Sequence, residues 1–267
     1  MKKYASFFRI RFIAGLQYRA AAWAGIATQF AWGMLTVLMY WAFYQTAPQR
    51  FPMRFSQLSS YLWMQQALLA MFMPWFFDSE ILLSISSGSV AYELCRPCDL
   101  YAMWFVKNMA ARLSRTALRC LPILLVAAVI GPPFGLSPPP DFLCGALFLL
   151  SAALGFLVLV AYSMLIYLSV FHTLSPTGVR ALSTSVVEFL SGAVVPLSFF
   201  PEALQPFVYA LPFASMQNAP FEIYIGRIDP FQALGVLALQ AAWLAALTAL
   251  GRKLMKRSLR RVVIQGG

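Results

Sequence analysis

The chain has 267 residues, of which 61% are hydrophobic and only 11% charged, and its 20 Lys and Arg outnumber nine acidic residues. Its mean hydropathy is +0.72. Soluble domains carry about a quarter charged residues and about half apolar ones, so this composition excludes a soluble enzyme, a disulfide-stapled secreted domain and a disordered chain. A hydrocarbon core about 30 Å thick takes roughly 20 apolar residues per helix, which leaves room for about six crossings and little sequence for an extramembrane domain.

The opening Met1-Lys2-Lys3 imitates a signal peptide, but Arg9 and Arg11 interrupt the apolar middle that such a peptide needs. Tyr4, Phe8, Phe12 and Leu16 recur every four residues among basic ones, which predicts a helix over 1–20 lying in the cytoplasmic interface. Uncharged runs then give the spans, because a charge at the centre of a membrane helix costs about 2.5–3.5 kcal/mol on insertion scales. The first covers 22–44 and is ended by Gln45-Thr46-Ala47-Pro48. The second covers 55–77, closed by Asp78 and Glu80, and the third covers 112–131, ended by Gly131-Pro132-Pro133. The remaining three cover 142–170, 176–200 and 230–251. The expected fold is therefore all-α: one polytopic membrane domain over 1–267 with six transmembrane helices, a cytoplasmic loop at 78–104 and an outer segment at 201–226.

Six spans put both termini on one face. That face collects Lys2, Lys3, Arg9, Arg11 and Arg19, then Arg96, Lys107, Arg112, Arg115 and Arg119, then Arg180, and finally Arg252, Lys253, Lys256, Arg257, Arg260 and Arg261. These are 17 of the 20 basic residues, and only Arg50, Arg54 and Arg227 lie opposite. Lys and Arg are retained in the cytoplasm, so both termini are expected there. The net charge of +11 reads as topology and contact with anionic lipid headgroups. Nucleic acid is not expected as a partner, because the charges flank spans and do not form a groove with interleaved aromatics.

Little in the chain can carry covalent chemistry. His172 is the single histidine, at the cytoplasmic end of the fourth span, and a metal site wants several ligands. No His-Glu-x-x-His helix or Gly-x-Ser-x-Gly elbow occurs, and no glycine is followed by lysine, which excludes the phosphate loop of ATPases. Cys95-Arg96-Pro97-Cys98 has the spacing of a redox pair, but its cytoplasmic placement argues for reduced thiols. Glu188 is the one acid inside an expected span. With the helix starting near Pro176 it lies about 18 Å along it, where ionisable groups face a bundle interior or a water-filled path. A later helix start brings it to the interface, beside Arg180.

The loop after the second span is the richest stretch. Ser87-Gly88-Ser89 turns the chain, and Pro97 stops any helix there. Asp99 then caps a new helix whose Arg112, Arg115 and Arg119 recur at spacings of three and four. A short cytoplasmic helix between long spans is a means of docking another protein, although composition alone fits a solvated loop. Beyond the fifth span, Pro196, Pro201, Pro212 and Pro220 punctuate an apolar stretch that includes Phe199, Phe200 and Phe221. It is too broken for a full crossing and reads as short re-entrant helices, which survive only when buried in protein or lining a cavity. That predicts an outer gate.

The sequence Gly88-Ser89-Val90-Ala91-Tyr92-Glu93-Leu94-Cys95-Arg96-Pro97 resembles the Gly-x-x-x-x-Glu-Leu-x-Arg-Pro stretch of bacterial type-2 ATP-binding-cassette exporter permeases. Ser191-Gly192 with Pro196, Phe200-Pro201-Glu202-Ala203-Leu204 and Leu211-Pro212-Phe213 are similar to the segment that ends the family's fifth span. The resemblance implies a half-transporter of the bacterial inner membrane that pairs with a second permease copy or a paralogue. It also implies a separate cytoplasmic ATPase dimer, which would hold the ATP and Mg, with no cofactor in this chain. Residues Glu80, Gly88, Tyr92, Glu93, Arg96 and Pro97 would then form the coupling element. Glu188, Trp63 and Met71 would line the translocation path, together with Met64, Met73 and Trp75. Pro196, Phe199, Phe200 and Phe221 would form the outer gate. Cys95 and Cys98 depart from the aliphatic or variable residues expected there. Rival readings are a proton-coupled secondary transporter using Glu188, which internal repeats would support and the two halves lack, and a non-transporting scaffold. No motif separates drug, peptide, lipid and glycan cargoes.

Overall fold

In the computed structural model, residues 2–17, 19–173 and 176–260 are described, and they form an all-helical molecule with no strand among them. Arg261 of the expected basic cluster lies outside the described residues. Helix α1 (Lys2–Leu16) precedes α2 (Arg19–Thr46), then α3 (Phe55–Ala67) and the single turn α4 (Leu69–Phe72). Two short helices, α5 (Ser79–Ser86) and α6 (Val90–Leu94), lead into α7 (Leu100–Ile130). Helices α8 (Phe142–Ser169) and α9 (Pro176–Leu190) follow. After a 3-10 turn at Leu197–Phe199 come α10 (Gln205–Ala210), α11 (Asn218–Tyr224) and α12 (Pro230–Leu259).

Four of these helices are long and apolar enough to cross a membrane: Ala22–Thr46, Leu100–Ile130, Phe142–Ser169 and Pro230–Leu259. In α8 half of the apolar stretch is buried, against 22% in each of the others, so α8 is the central post. Gln240 of α12 fastens the neighbouring helix to it, donating to the carbonyls of Ser151 at 3.1 Å and Ser215 at 2.8 Å while accepting from the Ser151 hydroxyl at 3.1 Å. Such a fully paired buried amide holds one helix register against another.

The helices differ from the expected spans at three places, each with a local cause. The stretch 55–77 is not one helix: it is jointed at Leu68 and stops at Phe72, because Pro74 lacks an N–H and pushes Met73 into extended geometry at φ −61°, ψ 123°. The stretch 176–200 ends as a helix at Leu190, where Gly192 takes a left-handed φ of +78° and Pro196 follows. The third helix starts at Leu100 instead of 112, since the Asp99 carboxylate caps it through Ala102 N at 2.6 Å. The basic segment expected as a separate short helix is thus the first half of a 31-residue helix.

Helix α1 buries no residue of its own and lies against α7. Contact is close because Gly15 faces Ser114, whose hydroxyl would be 2.1 Å from a Cβ at that position. At one end of α8, Tyr167 packs against Phe77, and near the other, Phe148 packs against Tyr224 of α11. Those contacts are 19 residues apart, roughly 28 Å along a helix, so α5–α6 and α10–α11 sit at opposite ends of the molecule.

Candidate functional site

The segment 78–99 is tied to the helix bundle from three sides. Asp78 caps α5, accepting from Glu80 N at 2.9 Å and Ile81 N at 3.2 Å. The Lys107 ammonium on α7 donates to Asp78 Oδ1 at 3.0 Å and Glu80 Oε2 at 2.6 Å, and Arg11 of α1 approaches the same Glu80 oxygen at 3.4 Å. The Lys107 hydrogen bond and charge hold the Glu80 carboxyl below its usual range. Ile81, Leu82, Ile85 and Val90 form an apolar underside packed with Leu100, Trp104 and Leu168. Gly88 makes the turn between α5 and α6 at φ +74°, a conformation that other residues adopt at a cost.

Within α6 the side chains divide. Trp104 Nε1 donates to Glu93 Oε2 at 2.6 Å, so Glu93 faces the bundle. Tyr92 faces away and is 80% exposed, with Arg96 exposed beside it. Leu83 and Leu94 are exposed apolar neighbours on the same short hairpin. Pro97 acts through its carbonyl, which accepts from Lys3 Nζ at 2.7 Å, and Asp99 N donates to Tyr4 Oη at 3.0 Å. Of the six expected coupling residues, then, Tyr92 and Arg96 are presented outward, Gly88 shapes the turn, and Glu80, Glu93 and Pro97 anchor it. Cys95 is exposed and Cys98 half-buried, both as free thiols.

Arg112 links this anchored segment to the interior. It is fully buried, and its guanidinium donates to Asn108 Oδ1 at 2.7 Å, Met73 O at 2.7 Å and Phe76 O at 2.9 Å. Met71 O and Ser163 Oγ lie farther, each at 3.4 Å. The carbonyls after α4 have no helical partners, and Arg112 supplies them. Asn108 Nδ2 donates to Tyr167 Oη at 3.2 Å, which also accepts from Asp78 N at 2.7 Å. Arg112 is expected among the cytoplasmic charges and instead lies in the interior; its spacing of four from Asn108 is the one local sign of the clamp.

The same break opens onto a cleft of about 450 Å³. Its walls carry Leu69, Phe72, Met73, Pro74 and Trp75 from the α4 region, Thr28, Gln29, Trp32 and Thr36 from α2, Gln65 and Gln66 from α3, and Glu188, Ala193, Val194 and Gln217 from the far side. Glu188 is thus placed with four glutamines. Trp63 is not in the cleft: it is fully buried, packs on Phe30 and donates Nε1 to Phe134 O at 2.7 Å. Met71 and Met64 are also core residues.

Polar groups close the far wall. The Tyr61 hydroxyl donates to Asn218 Oδ1 at 2.9 Å with Gly192 O at 3.2 Å, Leu197 N donates to the same Asn218 oxygen at 3.2 Å, and Gln65 Nε2 donates to Ala193 O. The broken backbone after α9 is therefore satisfied within the protein. Pro196 is buried there, Phe199 packs edge-on to Phe51, and Phe200 packs on Phe189. Phe221 is fully enclosed between Tyr61 and Phe72. Glu222, which no motif in the sequence marks, is buried, accepts from Tyr209 Oη at 2.6 Å and pairs with Arg227 at 3.6 Å.

No curated protein matches the chain. The model of the family described as ABC-2 family transporter protein matches residues 27–266, which takes in every helix but α1 and the start of α2. With its apolar helices, this makes the chain a multi-pass membrane protein and the permease subunit of an ABC transporter, a member of the ABC-2 family.

Proposed function

We propose that the chain is the membrane half of an ATP-driven exporter in a bacterial inner membrane, with both termini and the α5–α6 hairpin in the cytoplasm. In this reading the hairpin docks a separate ATPase dimer through Tyr92, Arg96 and the exposed leucines. A second permease copy or a paralogue completes the path. The jointed stretch 55–77 and the stretch 176–200 serve as the second and fifth of six spans, and α10 and α11 as re-entrant helices closing the outer side. The 17 to 3 partition of basic residues supports that sidedness.

The observation that carries the reading is the segment 73–78. Its carbonyls are held by Arg112, its last residue caps α5, and its first residues wall the cleft. Movement of the hairpin by a closing ATPase is therefore transmitted to the cleft through a few bonded residues. The conformations at the two ends of that movement differ in cleft shape, and cargo release requires lower affinity in one of them.

The test is purification of the tagged chain from native membranes in mild detergent, with assay of co-purifying ATP hydrolysis. A phosphate-loop ATPase is expected, and Tyr92→Ala with Arg96→Ala is expected to lose it without lowering the melting temperature. Recovery of the chain alone, together with transport driven by a proton gradient without ATP, overturns the proposal and leaves Glu188 as the centre of a different mechanism.

A further inference from the structure

We propose that the crevice between α1, the start of α2 and α7 binds the phosphate of an anionic phospholipid. The crevice holds about 440 Å³, and among the described residues its charged lining is Arg11, Lys107, Arg115 and Arg119 with Asp78 and Glu80, four basic side chains to two acidic ones. Both carboxylates are already engaged by Lys107, and Glu80 also by Arg11. The site therefore keeps a positive excess. Arg115 and Arg119 stand at i and i+4 of α7, where like charges repel. Arg115 is braced over the Phe76 ring at 3.9 Å. Arg119 lies against Gly25 of α2, where a Cβ would come within 2.4 Å of its Cζ. An anion between the two removes their repulsion, and guanidinium forks match the paired oxygens of a phosphate.

A lipid is favoured over free phosphate by what adjoins the crevice. Leu118 lines it, and Leu121 and Leu125 continue the same face of α7 at 65% and 64% exposure. An acyl chain along this stripe stays in hydrocarbon while its phosphate sits among the arginines. Basic pockets between transmembrane helices are recognised headgroup sites. The assignment is independent of cargo and energy source.

Native mass spectrometry of the full chain, delipidated in mild detergent and titrated with phosphatidylglycerol or phosphatidylcholine, reads this directly. One phosphatidylglycerol per chain is expected to be retained in preference to phosphatidylcholine. Arg115→Gln and Arg119→Gln are each expected to weaken retention about fivefold, the equivalent of roughly 1 kcal/mol per basic residue at an anionic surface. Arg252→Gln, outside the crevice, is expected to leave it unchanged. Arg115→Lys and Arg119→Lys keep the charge and are expected to keep most of the preference, and thermal melting of each variant reports folding. Equal retention of the two lipids, or unchanged retention in folded glutamine variants, overturns the site. Displacement by inorganic phosphate at equal concentration overturns the lipid assignment in favour of a free anion.

Discussion

Trp104 and Glu93 are joined by a 2.6 Å hydrogen bond that turns the acid of the Glu-Leu-x-Arg-Pro stretch toward the bundle. Trp104 is 1% exposed, so Glu93→Ala leaves a buried indole N–H without its partner, a loss of about 1–3 kcal/mol. The expected outcome is a loosened hairpin: faster limited proteolysis within 86–99, with most of the chain's helicity retained. Unchanged protection would mean that the bond does not hold α6.

Arg112→Lys is expected to destabilise the protein despite keeping the charge. The guanidinium reaches Asn108, Met73 and Phe76 in three directions, and an ammonium on a single stem cannot reproduce that fork. Each carbonyl left unpaired in the interior costs about 1–3 kcal/mol. The measurement is the melting temperature in detergent, and a value equal to that of the parent chain would remove the clamp from the account of the 73–78 break.

What was legible in the sequence follows from which signals are local. Asp99 as a cap, the α1 helix and the 142–170 span needed only neighbouring residues, and the structure has α7 capped by Asp99 and α8 over Phe142–Ser169. Hydropathy runs unbroken to residue 77, whereas the helix stops at Phe72 ahead of Pro74. The fate of Arg112, Glu93 and Trp63 was not legible, because each is decided by a partner far along the chain or by which face of a helix turns inward. Arg112 looks like any interfacial arginine until Met73 and Phe76 are brought to it. Trp63 has the composition of a path-lining residue and is enclosed because Phe134 O reaches its indole across 71 positions.

The Glu80–Lys107 pair gives a pH signature of defined sign. Because the folded-state pKa of Glu80 is depressed, the pair stabilises the fold above the ordinary carboxylate value of about 4.3. That contribution is lost as pH falls through the lower folded value. The Glu80 side chain is 65% exposed, which limits the pair to about 0–1 kcal/mol. The difference in melting temperature between the parent chain and Glu80→Gln is expected to be constant near neutral pH, to shrink as pH falls below the ordinary carboxylate value of about 4.3, and to close once pH has passed the lower folded value. A difference that persists at the acid end would assign the effect to packing instead.

Gly192→Ala tests the turn that ends α9. The residue sits at φ +78°, and a Cβ there would come within 2.7 Å of both Asn218 Oδ1 and Tyr61 Oη. The left-handed conformation alone costs about 1–2 kcal/mol for an L side chain, and displacement of the Tyr61–Asn218 bond adds to it. A lower melting temperature is expected from Gly192→Ala and a similar loss from Tyr61→Phe, with the double variant less than additive because both act on one hydrogen-bonded cluster. Additive losses would separate the turn from the Tyr61 bond.

Gln29 offers the opposite sign. It is 4% exposed on the cleft wall, and among the described residues neither its amide nitrogen nor its oxygen has a hydrogen-bond partner. A buried amide left unpaired costs about 1–3 kcal/mol, so Gln29→Leu is expected to raise the melting temperature of the purified chain. A destabilising group kept on the wall of a cleft is understandable where something else satisfies it in use, and Gln65, Gln66 and Glu188 share that wall. Thermal melting of Gln29→Leu in the single chain and in the assembled transporter separates two sources of that partner. Stabilisation in both leaves the amide facing the open cleft, as a translocation path requires. Stabilisation in the single chain with destabilisation in the assembly would instead pair Gln29 with the second permease, and the cleft would be an interface between subunits.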